Sequence, residues 1–189
     1  MNQDLASSSP ATLDIGRLLK ESWDYLFKKP IEHIGAAFLV GVLSLVTLGI
    51  LSGPLTVGYI RMIERQRRGE PIAIGQVFEG FEVFGSSFVT VLAYAVGVAL
   101  ASLLLIIPGL FLLVAWGFAL WFVALEGYGA SEALGASWQL LKSHAGSVVV
   151  LLLLAIVINA LGSSVLLATL LTAPFGMIFM TLGFRELTQ

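Results

Sequence analysis

Residues 83–125 read VFGSSFVTVLAYAVGVALASLLLIIPGLFLLVAWGFALWFVAL, 43 positions without one Asp, Glu, Lys or Arg. As a helix rising about 1.5 Å per residue, this stretch would reach roughly 65 Å. A bilayer's hydrocarbon core is about 30 Å thick. The run is too long for one crossing and fits two, folded back at Pro108-Gly109. Residues 143–184 repeat the pattern over 42 positions, interrupted by Pro174. Residues 33–60 form a third uncharged run of 28 positions, broken at Gly53-Pro54. Proline fits the first turn of a helix, where its missing N–H has no partner to lose. Pro54, Pro108 and Pro174 are therefore expected to open the second arms of three hairpins. Those arms lie near 33–51 and 54–68, 86–106 and 108–125, and 146–171 and 174–187.

Composition agrees. Of 189 residues, 58% are hydrophobic and 12% charged, against about 25% charged in an average soluble domain. So few charges cannot cover a soluble surface. The net charge of −2 gives no basic excess for nucleic acid. The chain has no cysteine, which removes disulfides, thiol chemistry and Cys-ligated metals. The expected fold is an all-α polytopic membrane bundle of about six helices, with residues 1–11 a loose tail and 12–189 one domain. Met1 to Pro10 lacks the basic start of a cleavable signal.

The ten Lys and Arg then fall on one face, at Arg17, Lys20, Lys28, Lys29, Arg61, Arg65, Arg67, Arg68, Lys142 and Arg185, while the opposite turns carry no charge. By the positive-inside rule both termini are cytoplasmic. Hairpin one is the weak point, because only Pro54 to Ile60 precede Arg61. The rival reading takes 33–60 as one helix kinked at Pro54, giving five crossings and dividing the positive charges four against six.

Three amphipathic segments separate the runs: one capped by Thr12 or Asp14 and stopped by Pro30, one over 74–85, and one over 131–144 with Ser131 as its cap. Such helices lie flat at the headgroup boundary. Ser22-Trp23-Asp24-Tyr25-Leu26 resembles Ser137-Trp138-Gln139-Leu140-Leu141, which suggests a repeated unit of flat helix plus hairpin. Small residues at Ala93, Gly97 and Ala101 form a stripe suited to close helix packing.

Little here suggests chemistry. No metal-protease, phosphate-loop or nucleophile-elbow pattern occurs. His33 and His144 read as single interfacial histidines without partners in helical register. Arg61, Glu64, Glu126, Asn159 and Ser163 are the candidates for a polar network in or beside the membrane. Asn159 and Ser163 share one face at i, i+4. Glu126 sits at the unfavourable end of a helix dipole and needs a cation, for which Arg61 and Arg65 are the candidates. Lys28, Lys29, Arg65, Arg67 and Arg68 form a basic surface for lipid headgroups or a protein partner, at roughly 1 kcal/mol per basic residue on anionic lipid.

The order Gly53-Pro54-Leu55 with Gly58, Arg67-Arg68-Gly69-Glu70, Phe78-Glu79-Gly80-Phe81, Ile107-Pro108-Gly109, Glu132-Ala133-Leu134 with Ser137, and Ala173-Pro174-Phe175 resembles the multi-pass membrane domain of some bacterial glycerophosphodiester phosphodiesterases. It is also similar to stand-alone bacterial membrane families related to that domain. The likeness covers about residues 15–187. It implies a helical bundle in a prokaryotic cytoplasmic membrane. In those enzymes catalysis belongs to a separate soluble barrel, so no catalytic residue carries over. The expected function is a non-enzymatic scaffold or accessory subunit that docks a protein or organises lipid at the cytoplasmic face, without cofactor or metal. The alternative is a small-solute or lipid transporter, or a pore formed by a homo-oligomer.

Overall fold

A computed structural model of the chain describes residues 14–104, 106–163 and 166–188, with side chains outside 104–108 and 161–168. Among the described residues the secondary structure is helical throughout. The Asp14 carboxylate accepts a hydrogen bond from the Arg17 backbone N–H at 3.0 Å, so Asp14 caps α1 (Ile15–Lys28). Thr12 and the expected tail lie outside the described residues. Pro30 ends α1 and is also the first residue of α2 (Pro30–Val46), bent 94° from α1. The turn after α2 carries φ of +51° at Leu48 and +85° at Gly49. The Thr47 hydroxyl donates to the Leu43 carbonyl at 2.7 Å there. The chain returns as α3 (Ser52–Arg67), with Pro54 in its first turn.

A 3-10 helix follows at Ile74–Val83 and leads into α4 (Phe84–Leu104). Its period of three residues sorts the segment into stripes. Val77 and Gly80 are buried, Phe78 and Phe81 are exposed, and Glu79 and Glu82 occupy the third. The amphipathic segment expected over 74–85 is thus a 3-10 helix as far as Val83. Spacing of i, i+3 serves both helix types, and a close backbone crossing decides between them. A Cβ on Gly58 of α3 would strike the Val77 carbonyl, and one on Gly80 would strike the Pro54 carbonyl.

The α4 helix packs on α5 (Ile106–Ala115). Gly97 lies under the Trp116 ring and Gly109 against Ser102, so the small-residue stripe is used within the chain. Pro108 is the third residue of α5; its side chain lies outside the described residues. A break follows, then α6 (Ala119–Trp121) and a π-helical turn, Phe122–Glu126. Ser137 bridges the break. Its hydroxyl donates to the Ala115 carbonyl at 2.8 Å and accepts from the Phe118 N–H at 3.2 Å. Such repair is what broken helices need where water is scarce. Ser137 belongs to α7 (Ala130–Ser143), which precedes α8 (Ala145–Ser163) and α9 (Leu166–Thr188).

Two further expectations change. Ser131 does not cap α7; the helix begins at Ala130, and the Glu132 carboxylate accepts from the Gly129 N–H at 3.0 Å. Pro174 does not open an arm. It lies inside α9, eight residues past the start of that helix. Interior proline strips one helical bond, but packing against neighbouring helices makes this tolerable in membrane helices, and α9 packs along α8.

Ile74–Leu103, Gly109–Glu126 and Thr169–Thr188 are each long and apolar enough to cross a membrane. The pairs α1 with α2 and α7 with α8, the latter bent by 110°, also qualify when each is taken together. The described residues thus hold three to five candidate spans.

Candidate functional site

The site lies where the C-terminal half of α3 meets the 3-10 helix, the π turn and the end of α9. Glu64 anchors it, with its side chain only 3% exposed. Its carboxylate accepts from Arg67 Nε at 3.0 Å and Nη2 at 2.8 Å, and from Arg185 Nε at 3.2 Å. Arg68 stands 3.7 Å away. A buried carboxylate is tolerable only when so paired. Arg185 also donates through Nη1 to Glu126 at 2.9 Å. The cation that Glu126 needs is therefore Arg185, 59 residues away, and not Arg61 or Arg65.

Arg61 works elsewhere. Its Nε donates to the Ala124 carbonyl at 3.1 Å, one of the acceptors a helix end leaves without intrahelical donors. Its Nη1 reaches the Glu79 carbonyl at 3.4 Å and the Glu82 carboxylate at 3.2 Å. Arg65 grips the Glu79 carboxylate with both terminal nitrogens, the two-pronged geometry that gives such pairs their specificity. Arg61, Arg65, Arg68 and Arg185, with Glu79 and Glu82, line a cavity of about 210 Å³.

The structure thus brings Arg61, Glu64, Arg65, Arg67, Arg68, Glu126 and Arg185 to one end of the bundle. Arg17 and Glu186 join the same end by an ion pair between α1 and α9. Lys28 and Lys29 are exposed at the end of α1, and Lys29 lies 3.7 Å from Glu32. Arg65 and Arg67 are engaged internally, whereas the Arg68 side chain is 58% exposed. Asn159 stands apart on α8, where its amide donates to the Ala155 carbonyl at 2.8 Å. Ser163 ends α8, and its side chain lies outside the described residues.

Sequence reasoning missed a second polar group. His33 is fully buried, with Nε2 2.6 Å from the Gln66 amide oxygen and Nδ1 3.3 Å from the Tyr59 hydroxyl. The Gln66 amide nitrogen donates to the Tyr25 carbonyl at 3.0 Å, so its oxygen faces His33 as acceptor. That places a proton on Nε2. His33 is therefore not a partnerless interfacial residue. Tyr59 and Gln66, seven apart on α3, were the available signal. Burial, with Glu21 nearby, also raises the pKa of the Tyr25 hydroxyl.

No protein-family model, curated protein or solved structure matches the chain.

Proposed function

We propose that this is a non-enzymatic integral protein of a prokaryotic cytoplasmic membrane, with six crossings and both termini inside. It acts there as a scaffold or accessory subunit that docks a protein partner or organises lipid. The sixth crossing is α3. Its Arg and Glu content would be costly against lipid, but eleven of its sixteen residues are buried, so protein rather than lipid surrounds it. The observation that carries the docking role is the division among basic residues at the charged end. Arg61, Arg65, Arg67 and Arg185 are spent on holding segments together, while Lys28, Lys29 and Arg68 point outward. Transport has less support, because the Asn159 amide is occupied by its own helix.

The test is native mass spectrometry of protein extracted gently from its own membrane, comparing wild type with Lys28→Glu/Lys29→Glu. A stoichiometric second polypeptide, lost at least tenfold in the charge-reversed form, is the expected result. A wild-type species without any second polypeptide, or one indifferent to the reversal, removes the docking role. The absence of native cysteine allows a single cysteine at Ser52 to report topology. Labelling only from outside the cell is expected; labelling only from the cytoplasm removes the six-crossing arrangement.

A further inference from the structure

We infer that the cavity between Arg61, Arg65, Arg68 and Arg185 holds the phosphate of an anionic phospholipid from the cytoplasmic leaflet, with its acyl chains along a ladder of phenylalanine rings. This deepens the docking reading and rests on its orientation.

A guanidinium carries five N–H donors and no acceptor. Arg61 and Arg185 each spend Nε and Nη1. Arg65 spends both terminal nitrogens on Glu79. Arg68 stands 3.7 Å from Glu64 and 3.8 Å from Glu70, beyond hydrogen-bond reach. Among the described residues, Nη2 of Arg61, Nη2 of Arg185 and the whole Arg68 fork therefore lack acceptors. Four guanidinium groups face two carboxylates, Glu79 and Glu82, across the cavity wall. Glu64 and Glu126 are bound to Arg185 outside that wall and temper its charge. A tetrahedral anion with several oxygens suits converging donors of this kind.

Size and position narrow the choice. A cavity of about 210 Å³ has room for a headgroup but not for a folded segment of a partner. The period-three register of the 3-10 helix sets the Glu79–Glu82 stripe beside the Phe78–Phe81 stripe. The aromatic stripe continues through Phe84 to Phe88 on α4, with successive ring centroids 6.2, 6.1 and 5.7 Å apart. Phe78, Phe81 and Phe84 are exposed. The ladder runs away from the charged end within the first half of the candidate span Ile74–Leu103, the level where aromatic rings mark the boundary between headgroups and chains. An anion site beside an apolar rail is the outline of a phospholipid.

The test uses purified full-length protein in detergent, with no partner present. Native mass spectrometry follows the binding of phosphatidylglycerol, phosphatidylcholine and glycerol 3-phosphate. Arg68→Gln removes one donor fork, and Glu82→Gln removes one repelling carboxylate from a side chain 75% exposed. Neither position packs in the core, so both variants keep the fold. Wild type is expected to retain one phosphatidylglycerol in preference to phosphatidylcholine. Arg68→Gln should weaken that binding about fivefold, as roughly 1 kcal/mol per basic residue at a membrane surface implies. Glu82→Gln should strengthen it about two- to fivefold. Equal retention of the two lipids, or indifference to both variants, overturns the inference. So does a response of glycerol 3-phosphate to the variants when phosphatidylglycerol is not retained, since the anion would then be soluble. A wild-type species without a second polypeptide, or one indifferent to Lys28→Glu/Lys29→Glu, with this lipid pattern intact confines the failure to docking. The converse result removes the lipid alone.

Discussion

Helices α3 and α4 are neighbours in space and opposites in composition. The α4 helix contains no charged residue, yet Val89, Leu92, Val96, Leu100 and Leu103 are all exposed. The α3 helix carries Arg61, Glu64, Arg65 and Arg67, yet it is the most buried helix among the described residues. In a water-soluble domain the two would exchange places. The inversion follows from the solvent. Lipid tails are as apolar as leucine, so burying leucine against protein gains little there, and helices associate through close packing and polar contacts instead. Among the described residues the apolar α4 is exposed, and glycine contacts and ion pairs surround the buried α3.

The largest effect is expected where α3 crosses the 3-10 helix. A side chain at Gly58 meets the backbone of Val77, which has no rotamer to change. Replacing a helical glycine ordinarily gains up to about 1 kcal/mol. The forced separation of two backbones outweighs that gain, and Gly58→Val is expected to cost more than about 4 kcal/mol. Thermal unfolding in detergent should show loss of a cooperative transition. A stable Gly58→Val protein would mean that α3 is not held by this crossing.

Glu64→Gln tests the ionic part of the same centre. It preserves shape and leaves Arg67 and Arg185 facing a neutral amide. Breaking a buried pair from one side costs about 3–5 kcal/mol. Because Arg67 is 33% exposed, the lower end of that range, about 3 kcal/mol, is expected. Glu82→Gln at the exposed rim should stay within about 0.5 kcal/mol. Equal effects at the two positions would erase the distinction between a centre and a rim.

These contrasts explain how much of the molecule was legible in its sequence. The uncharged runs, the helical character and the gathering of Arg61, Arg65, Arg67 and Arg68 follow from composition along the chain; the arm bounds do not, since α5 breaks after Ala115 and α9 begins at Leu166. The position of α3 does not, because a window of sequence reports what a segment is made of and not what surrounds it. Gly58 and Gly80 lie 22 residues apart, and nothing local says that they touch. His33 finds partners 26 and 33 residues away, too far for helical register to reveal. The proline rule holds for Pro54 and Pro108, each the third residue of its helix, and fails for Pro174, which sits inside a helix packed against its neighbour. The short motifs Gly53-Pro54-Leu55 with Gly58, Phe78-Glu79-Gly80-Phe81 and Glu132-Ala133-Leu134 with Ser137 carry part of the resemblance. Each contributes a joint in the structure: a glycine crossing at Gly58 and Gly80, or the bridge over the α5 break.

The smallest effect is the most direct test of the inversion. Leu55 on α3 is fully buried and Leu92 on α4 is 49% exposed. Leu→Ala removes the same atoms at both positions. At Leu55 the loss leaves a cavity, which costs about 2–5 kcal/mol in a packed interior. At Leu92 the removed methyl groups faced the medium. In detergent or bilayer that medium is as apolar as the side chain, so truncation should cost under about 0.5 kcal/mol. Unfolding of the two variants in the same detergent measures the difference. A comparable loss at Leu92 would mean that the outer face of α4 is covered by protein, in which case the bundle would be one part of a larger assembly packed along that helix. A small loss leaves α4 as the lipid-facing wall and α3 as the core.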